Sequence, residues 1–196
     1  LLKYESEVRL SFMNPHYFYA LRIPNKVKHV LNEWIQELKP SFPFQKWVHP
    51  EDYHITLAFL GNATAVQLQN TENIIKKTVS TINPFEMKTD RLGTFGQERN
   101  PRIFWANSSI PSSLVELRNT IYKACESQGF LLDQRPFTPH ITVARKWSGK
   151  EAFQGELLNH FNLEKAIKWQ GNEVVLYQTH LDRVPKYEVK SSIVLT

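Results

Sequence analysis

An α+β fold made of two copies of one unit is what this sequence predicts, and three observations carry it. A four-residue phrase occurs twice, His54-Ile55-Thr56-Leu57 and His140-Ile141-Thr142-Val143. The copies lie 86 positions apart (140 − 54), near half the chain that follows Met13, as an internal duplication requires. Strand-like and helix-like stretches then alternate in the same order, strand, helix, strand, helix, in each half. Two such units related by a pseudo-two-fold axis would set the motif strands opposite each other across a groove.

The elements follow from local patterns. Tyr17 to Ile23 is aromatic and β-branched and closes at Pro24, a strand. Asn25 is a plausible N-cap for a helix whose Val27, Val30, Leu31, Trp34, Ile35 and Leu38 recur three and four apart, and Pro40 ends it. A loop through Pro43 and Pro50 leads to the first motif strand, Tyr53 to Leu60, which stops at Gly61-Asn62. A helix from about Ala65 to Ile82 comes next. Phe85 to Leu92 and Arg102 to Ala106 read as strands around a loop holding Gly93, Gly96 and Pro101. A helix from about Ser112 to Gln128 is stopped by Gly129. After the second motif strand come a weak helical pattern, Lys150 to Phe161, and two strands, Lys168 to Leu181 and Lys186 to Leu195, around a turn near Asp182 and Pro185.

Side chains alternate between the faces of a strand, so His54 shares a face with Thr56, while Ile55, Leu57 and Phe59 share the other. The apolar face packs and the polar face looks into a cleft. The second copy repeats this, with Arg145 on the Ile141 and Val143 parity. On a regular strand Arg145 reaches the cleft only from the strand end, or through a bulge.

Composition narrows the classes. The chain has 196 residues, 41% apolar and 22% charged, as a soluble globular protein has, enough for one domain or two small lobes sharing a core. Residues 1–12, ahead of Met13, fit no element and are expected to be a vector or upstream remnant, leaving 13–196 as one bilobal domain. A formal charge of +5 suggests an anionic partner. No run of eighteen apolar residues and no leader-like segment occur, so a soluble, cytoplasmic protein is expected, with no membrane partner. Cys125 is the single cysteine, which excludes an internal disulfide and a thiolate-rich zinc site, and its helical setting reads as a buried structural thiol. His16, His29, His49, His160 and His180 fall in no metal-ligand spacing, so no metal or cofactor is expected. No heptad argues for an oligomer, and a monomer is the default expectation.

Two histidines on equivalent strands suit proton transfer at a phosphodiester. Imidazole titrates near pH 6.5, so one can deliver a proton while the other removes one. The flanking hydroxyls can bind equatorial phosphate oxygens.

The extended motifs carry a resemblance. Trp47-Val48-His49-Pro50-Glu51-Asp52-Tyr53-His54-Ile55-Thr56-Leu57-Ala58-Phe59-Leu60-Gly61 and Arg135-Pro136-Phe137-Thr138-Pro139-His140-Ile141-Thr142-Val143-Ala144-Arg145, with the opening Phe18-Tyr19-Ala20-Leu21-Arg22-Ile23-Pro24, resemble the two-histidine (2H) phosphoesterase superfamily. Within it they look like the RNA 2′,3′-cyclic phosphodiesterases, also called LigT-like 2′-5′ RNA ligases. The resemblance implies a bilobal, duplicated α/β unit with two antiparallel sheets, helices outside, and a central active-site groove. It implies metal-independent hydrolysis of RNA 2′,3′-cyclic phosphate ends to 2′-phosphomonoesters, together with reversible 2′-5′ RNA ligation. It also implies His54 as proton donor, His140 as proton acceptor, and Thr56 and Thr142 as phosphate ligands. The motifs themselves are too alike to assign donor and acceptor. Arg145 is a further candidate for the phosphate, and Phe18 and Arg135 are candidates for contacts to the rest of the substrate.

Two other readings use the same residues. One is a 2H phosphodiesterase acting on a small cyclic nucleotide or a 2′-5′ oligonucleotide. The other is a non-catalytic module that binds RNA ends.

Overall fold

The computed structural model describes residues 15–79 and 81–196, so the expectation for residues 1–12 lies outside the described residues. The chain forms strands β1 (His16–Arg22), β2 (Phe44–Trp47), β3 (His54–Asn62), β4 (Phe85–Thr89), β5 (Leu92–Gln97), β6 (Asn100–Asn107), β7 (His140–Trp147), β8 (Ile167–Gly171), β9 (Glu173–Thr179) and β10 (Tyr187–Val194). Helices α1 (Asn25–Leu38), α2 (Ala65–Val79) and α3 (Ser112–Ser127) lie between them, with 3₁₀ turns at Pro50–Asp52 and Gly155–Phe161. Among the described residues no helix is long and apolar enough to cross a membrane.

Two four-stranded antiparallel half-sheets make the frame. One runs β10-β9-β1-β3, and the other holds β7, β6 and β5, with β2 on the far edge of β7. They join at a single register pair, Ile55↔Ile141, between the two motif strands. A separate two-stranded ribbon pairs β4 with β8. The unit anticipated from the repeat is present: β1-α1-β3 and β6-α3-β7 each put a helix between two antiparallel neighbours. The halves are nevertheless interleaved, because β2 leaves the first unit for the second sheet, while β9 and β10, last in the chain, complete the first.

The elements hold for ordinary reasons. Helix α1 buries Leu31, Trp34, Ile35 and Leu38 along its apolar stripe. Its N-cap is Pro24 and Asn25 is its first helical residue, so Asn25 does not cap it. Helix α2 starts with a capping box: the Gln67 amide donates to Thr64 Oγ1 at 3.2 Å and the Thr64 amide to Gln67 Oε1 at 3.1 Å. Helix α3 ends before Gly129, whose φ of +82° suits glycine.

Other boundaries differ from the sequence reading. Residues 44–47 form a strand where a loop was expected, because β7 offers them an open edge. Gly93 and Gly96 lie within β5, and a Cβ on Gly93 would come within 2.2 Å of the Trp105 indole lying across it. The expected strand from Lys168 to Leu181 is two, β8 and β9, in different sheets. The segment read as a helix from Lys150 to Phe161 is the 3₁₀ turn at Gly155–Phe161.

Equivalent bulges shape both motif strands. Pairing of β1 with β3 runs Tyr19↔Ala58 then Ala20↔Thr56, skipping Leu57. Pairing of β6 with β7 runs Phe104↔Ala144 then Trp105↔Thr142, skipping Val143. Each extra residue reverses the alternation that follows it. Phe59, expected on the packed face, is therefore turned to the other side and is 53% exposed. Arg145 is turned by the same device onto the face of His140 and Thr142.

Candidate active site

The seam between the half-sheets brings the two motifs side by side. Extending the antiparallel register from Ile55↔Ile141 sets His54 opposite Thr142 and Thr56 opposite His140. The histidines then occupy one diagonal of a square and the threonines the other, with diagonal positions about 7–8 Å apart. A phosphate fits between two imidazoles reaching inward from that distance. His54, Thr56, His140, Thr142 and Arg145 are all partly buried there.

Both rings are oriented in the same way. His54 Nδ1 lies 2.7 Å from the Asp52 carbonyl oxygen, and His140 Nδ1 lies 2.7 Å from that of Thr138. A carbonyl only accepts, so each Nδ1 carries the proton and each Nε2 is left with a lone pair. His54 Nε2 accepts from the Thr56 hydroxyl at 3.1 Å.

The two surroundings differ, although the motifs barely do. Three aromatic rings enclose His54: Phe18 at 4.8 Å, Tyr187 at 5.1 Å and Tyr177 at 5.8 Å between centroids. Phe95 meets His140 edge-on at 4.8 Å. Burial pushes His54 down to about 4, opposed by the Asp52 carbonyl and helped by Lys28, His140 and Arg145. Burial lowers His140 as well, opposed by the Thr138 carbonyl and helped by Arg145. In the free protein the imidazolium form of both rings is disfavoured.

Several contributors lie far from the motifs in sequence. Asp52 is buried, and its carboxylate accepts from the backbone amides of Lys186 and Tyr187 at 3.1 Å, tying the β9–β10 turn to the first motif. Tyr187 lies close enough to the Arg145 guanidinium to feel its charge, which links the first half-sheet electrostatically to the second. Lys28 is 3% exposed and donates to the Glu51 carbonyl at 2.6 Å, bracing the turn that precedes His54. None of these stands out in the sequence. The faint signal shared by both copies is a residue two before the histidine whose carbonyl fixes the ring.

Two further candidates are already engaged by neighbours. Phe18 is 3% exposed, its ring packed on His54, Tyr177 and Tyr187, so it orients the histidine and offers no open face to a base. Phe59 is the exposed aromatic beside it, in register with Phe18. Arg135 is exposed in the loop before β7 and ion-paired to Asp133, whose carboxyl it holds down to about 2. The described residues contain no group of three or more His, Cys, Asp or Glu side chains that could hold a metal ion.

The sequence matches the 2′-5′ RNA ligase superfamily over residues 27–183, a span that takes in both motifs. The chain belongs to the 2′-5′ RNA ligase superfamily. An RNA 2′,3′-cyclic phosphodiesterase of Bacillus subtilis is 36% identical over 177 residues, covering 90% of this chain and 94% of that protein. One of Geobacillus stearothermophilus is 41% identical over 173 residues, covering 88% of this chain but 55% of that longer protein. Among solved structures, E. coli LigT complexed with 3′-AMP gives a TM-score of 0.77 at 22% identity, covering 93% of this chain and 99% of that one. A Thermus thermophilus protein gives 0.77 at 23%, covering 92% and 97%. At those identities the structural likeness is one of fold, and it agrees with the mixed α+β, two-sheet architecture of this superfamily member.

Proposed function

We propose that the protein hydrolyses RNA 2′,3′-cyclic phosphate ends to 2′-phosphomonoesters by acid/base catalysis from two histidines. The observation that carries this reading is the diagonal pair of imidazoles, each pinned through Nδ1 to a backbone carbonyl, with Arg145 turned toward them by a bulge. The names of the superfamily relatives support the same activity.

Displacement at phosphorus needs attacking and leaving oxygens in line, and two groups on a diagonal suit opposite ends of that line. His140 Nε2 takes a proton from the attacking water. As the new P–O bond forms, the bond to the 3′ oxygen breaks, and His54 delivers its proton to that oxygen. This donor and acceptor assignment follows the superfamily pattern. Burial, aided by the neighbouring Lys28 and Arg145, makes a protonated His54 a strong acid, and the substrate's negative charge offsets those cations. Thr56, Thr142 and Arg145 stabilise charge on the non-bridging oxygens, and 2′-5′ ligation is the same ring opening with an RNA 5′-hydroxyl in place of water. Phe59 offers an exposed ring on which a base can stack.

The test is incubation with a short RNA ending in a 2′,3′-cyclic phosphate, in EDTA, with the product's phosphate position identified. A 2′-phosphate is expected, and His54→Ala and His140→Ala should each lose about 10²- to 10⁴-fold while folding normally. Near wild-type turnover by either variant, or activity abolished by EDTA and restored by a divalent ion, refutes the mechanism.

A further inference from the structure

Beside the phosphate position lies a second concentration of positive charge that hydrolysis of the terminal ring does not use. Lys46 on β2 is in register with Arg145 on β7, so the two side chains stand next to each other on one face. Like charges placed directly opposite destabilise a strand pair. A third cation comes from the other half-sheet: Lys186, in the β9–β10 turn, has its backbone amide held by the buried Asp52 carboxylate. Its Nζ lies 5.5 Å from the Tyr187 ring centroid, and Tyr187 in turn meets Arg145.

Among the described residues, no carboxylate lies within ion-pairing distance of Lys46, Lys186 or Arg145. Burial lowers the Lys186 ammonium, and Arg145 and Lys46 lower it further, while Asp52 opposes them. Three cations from three strands and turns thus converge with no ion-paired carboxylate among them, Asp52 being the nearby acid that opposes them, and two of them flank the Arg145 that faces the reacting phosphate.

We propose that Lys46 and Lys186 form a second anion site that takes the phosphodiester one nucleotide upstream of the cyclic end, so that an oligonucleotide terminus is preferred over a free nucleoside 2′,3′-cyclic phosphate. This rests on the hydrolase reading above and names its substrate class. The site reads backbone charge and leaves base identity free.

The experiment compares three substrates on the full chain: a nucleoside 2′,3′-cyclic phosphate, a dinucleotide ending in the cyclic phosphate, and that dinucleotide with a neutral methylphosphonate linkage. For the wild type, kcat/KM for the charged dinucleotide should exceed that for the other two by about tenfold or more, the scale of a charge-assisted contact. In Lys46→Ala/Lys186→Ala that ratio should collapse toward one, and Lys46→Arg/Lys186→Arg should keep it. A purely structural loss lowers all three substrates together and leaves the ratio intact. A ratio preserved in the Ala variant, or equal use of charged and neutral dinucleotides by the wild type, overturns the site while leaving hydrolysis standing. No turnover of any substrate overturns both.

Discussion

Asp52 makes the sharpest structural prediction, because one buried carboxylate joins the first motif to the end of the chain. Asp52→Ala removes the acceptor for the Lys186 and Tyr187 amides. A hydrogen bond to a charged group contributes about 1.5–3 kcal/mol, so two such donors set an upper range of roughly 3–6 kcal/mol. The turn from 181 to 185 is exposed, so water recovers part of this, and a net loss of about 3 kcal/mol is expected. For a chain of this size that lowers Tm by about 6–12 °C. Thermal melting measures the loss, and hydrogen exchange at the Lys186 and Tyr187 amides localises it. Activity should fall as well, since the slackened hairpin carries Tyr177 and Tyr187 away from His54. Asp182→Ala, an exposed change on the same hairpin, is the control and should stay within about 0.5 kcal/mol. If Asp52→Ala melts within about 2 °C of wild type, with both amides still protected, the carboxylate is not what holds the hairpin.

Three further outcomes follow from the site and its strand. Burial and neighbouring cations disfavour both imidazolium ions, so both limbs of the kcat/KM bell should lie below the ordinary histidine value of about 6.5. The kcat bell should move upward, because a bound anion favours the charged rings; a kcat/KM maximum above pH 7 contradicts this. Arg145→Ala should cost about 10²- to 10³-fold in kcat, and Arg145→Lys should recover only part of it, since an ammonium cannot present the planar fork; equal activity of the Lys variant shows that charge alone suffices. Lys146 holds φ +61°, the left-handed region that costs an L-residue about 1–2 kcal/mol, so Lys146→Gly should raise Tm by about 2–4 °C; a lowered Tm indicates that its side chain contributes more than its backbone costs.

What the sequence reveals and conceals divides along a physical line. Features written in contiguous residues are legible: the alternation in His54–Leu57, the stripe on α1, the glycine after α3. Features that depend on a distant partner are not. The bulges at Leu57 and Val143 exist only relative to β1 and β6, so the side to which Phe59 and Arg145 point cannot be read along their own strands. β2 is four residues between prolines and becomes a strand because β7 offers it an edge. Phe18 carries the hydrophobicity of a stacking residue, and only the arrival of Tyr177 and Tyr187 shows that it is enclosed. The proposed acid/base pair was legible because its chemistry is tied to two repeated tetrapeptides. The groups that tune it, Lys28, Asp52 and Tyr187, come from three separate segments.

The interleaving of the half-sheets has a consequence for how the protein is made. His54 leaves the ribosome 119 residues before β9 begins at Glu173 (173 − 54), an interval of about 6–24 s at 5–20 residues per second. Throughout that interval β1 has β3 on one side and nothing on the other, because its second partner, β9, has yet to be synthesised. An apolar strand, Phe18-Tyr19-Ala20-Leu21, is then an open edge of the kind that pairs with other chains. The nascent protein is therefore most prone to aggregation while its first histidine motif is already complete, until β9 arrives, closes that edge and brings Tyr177 to His54.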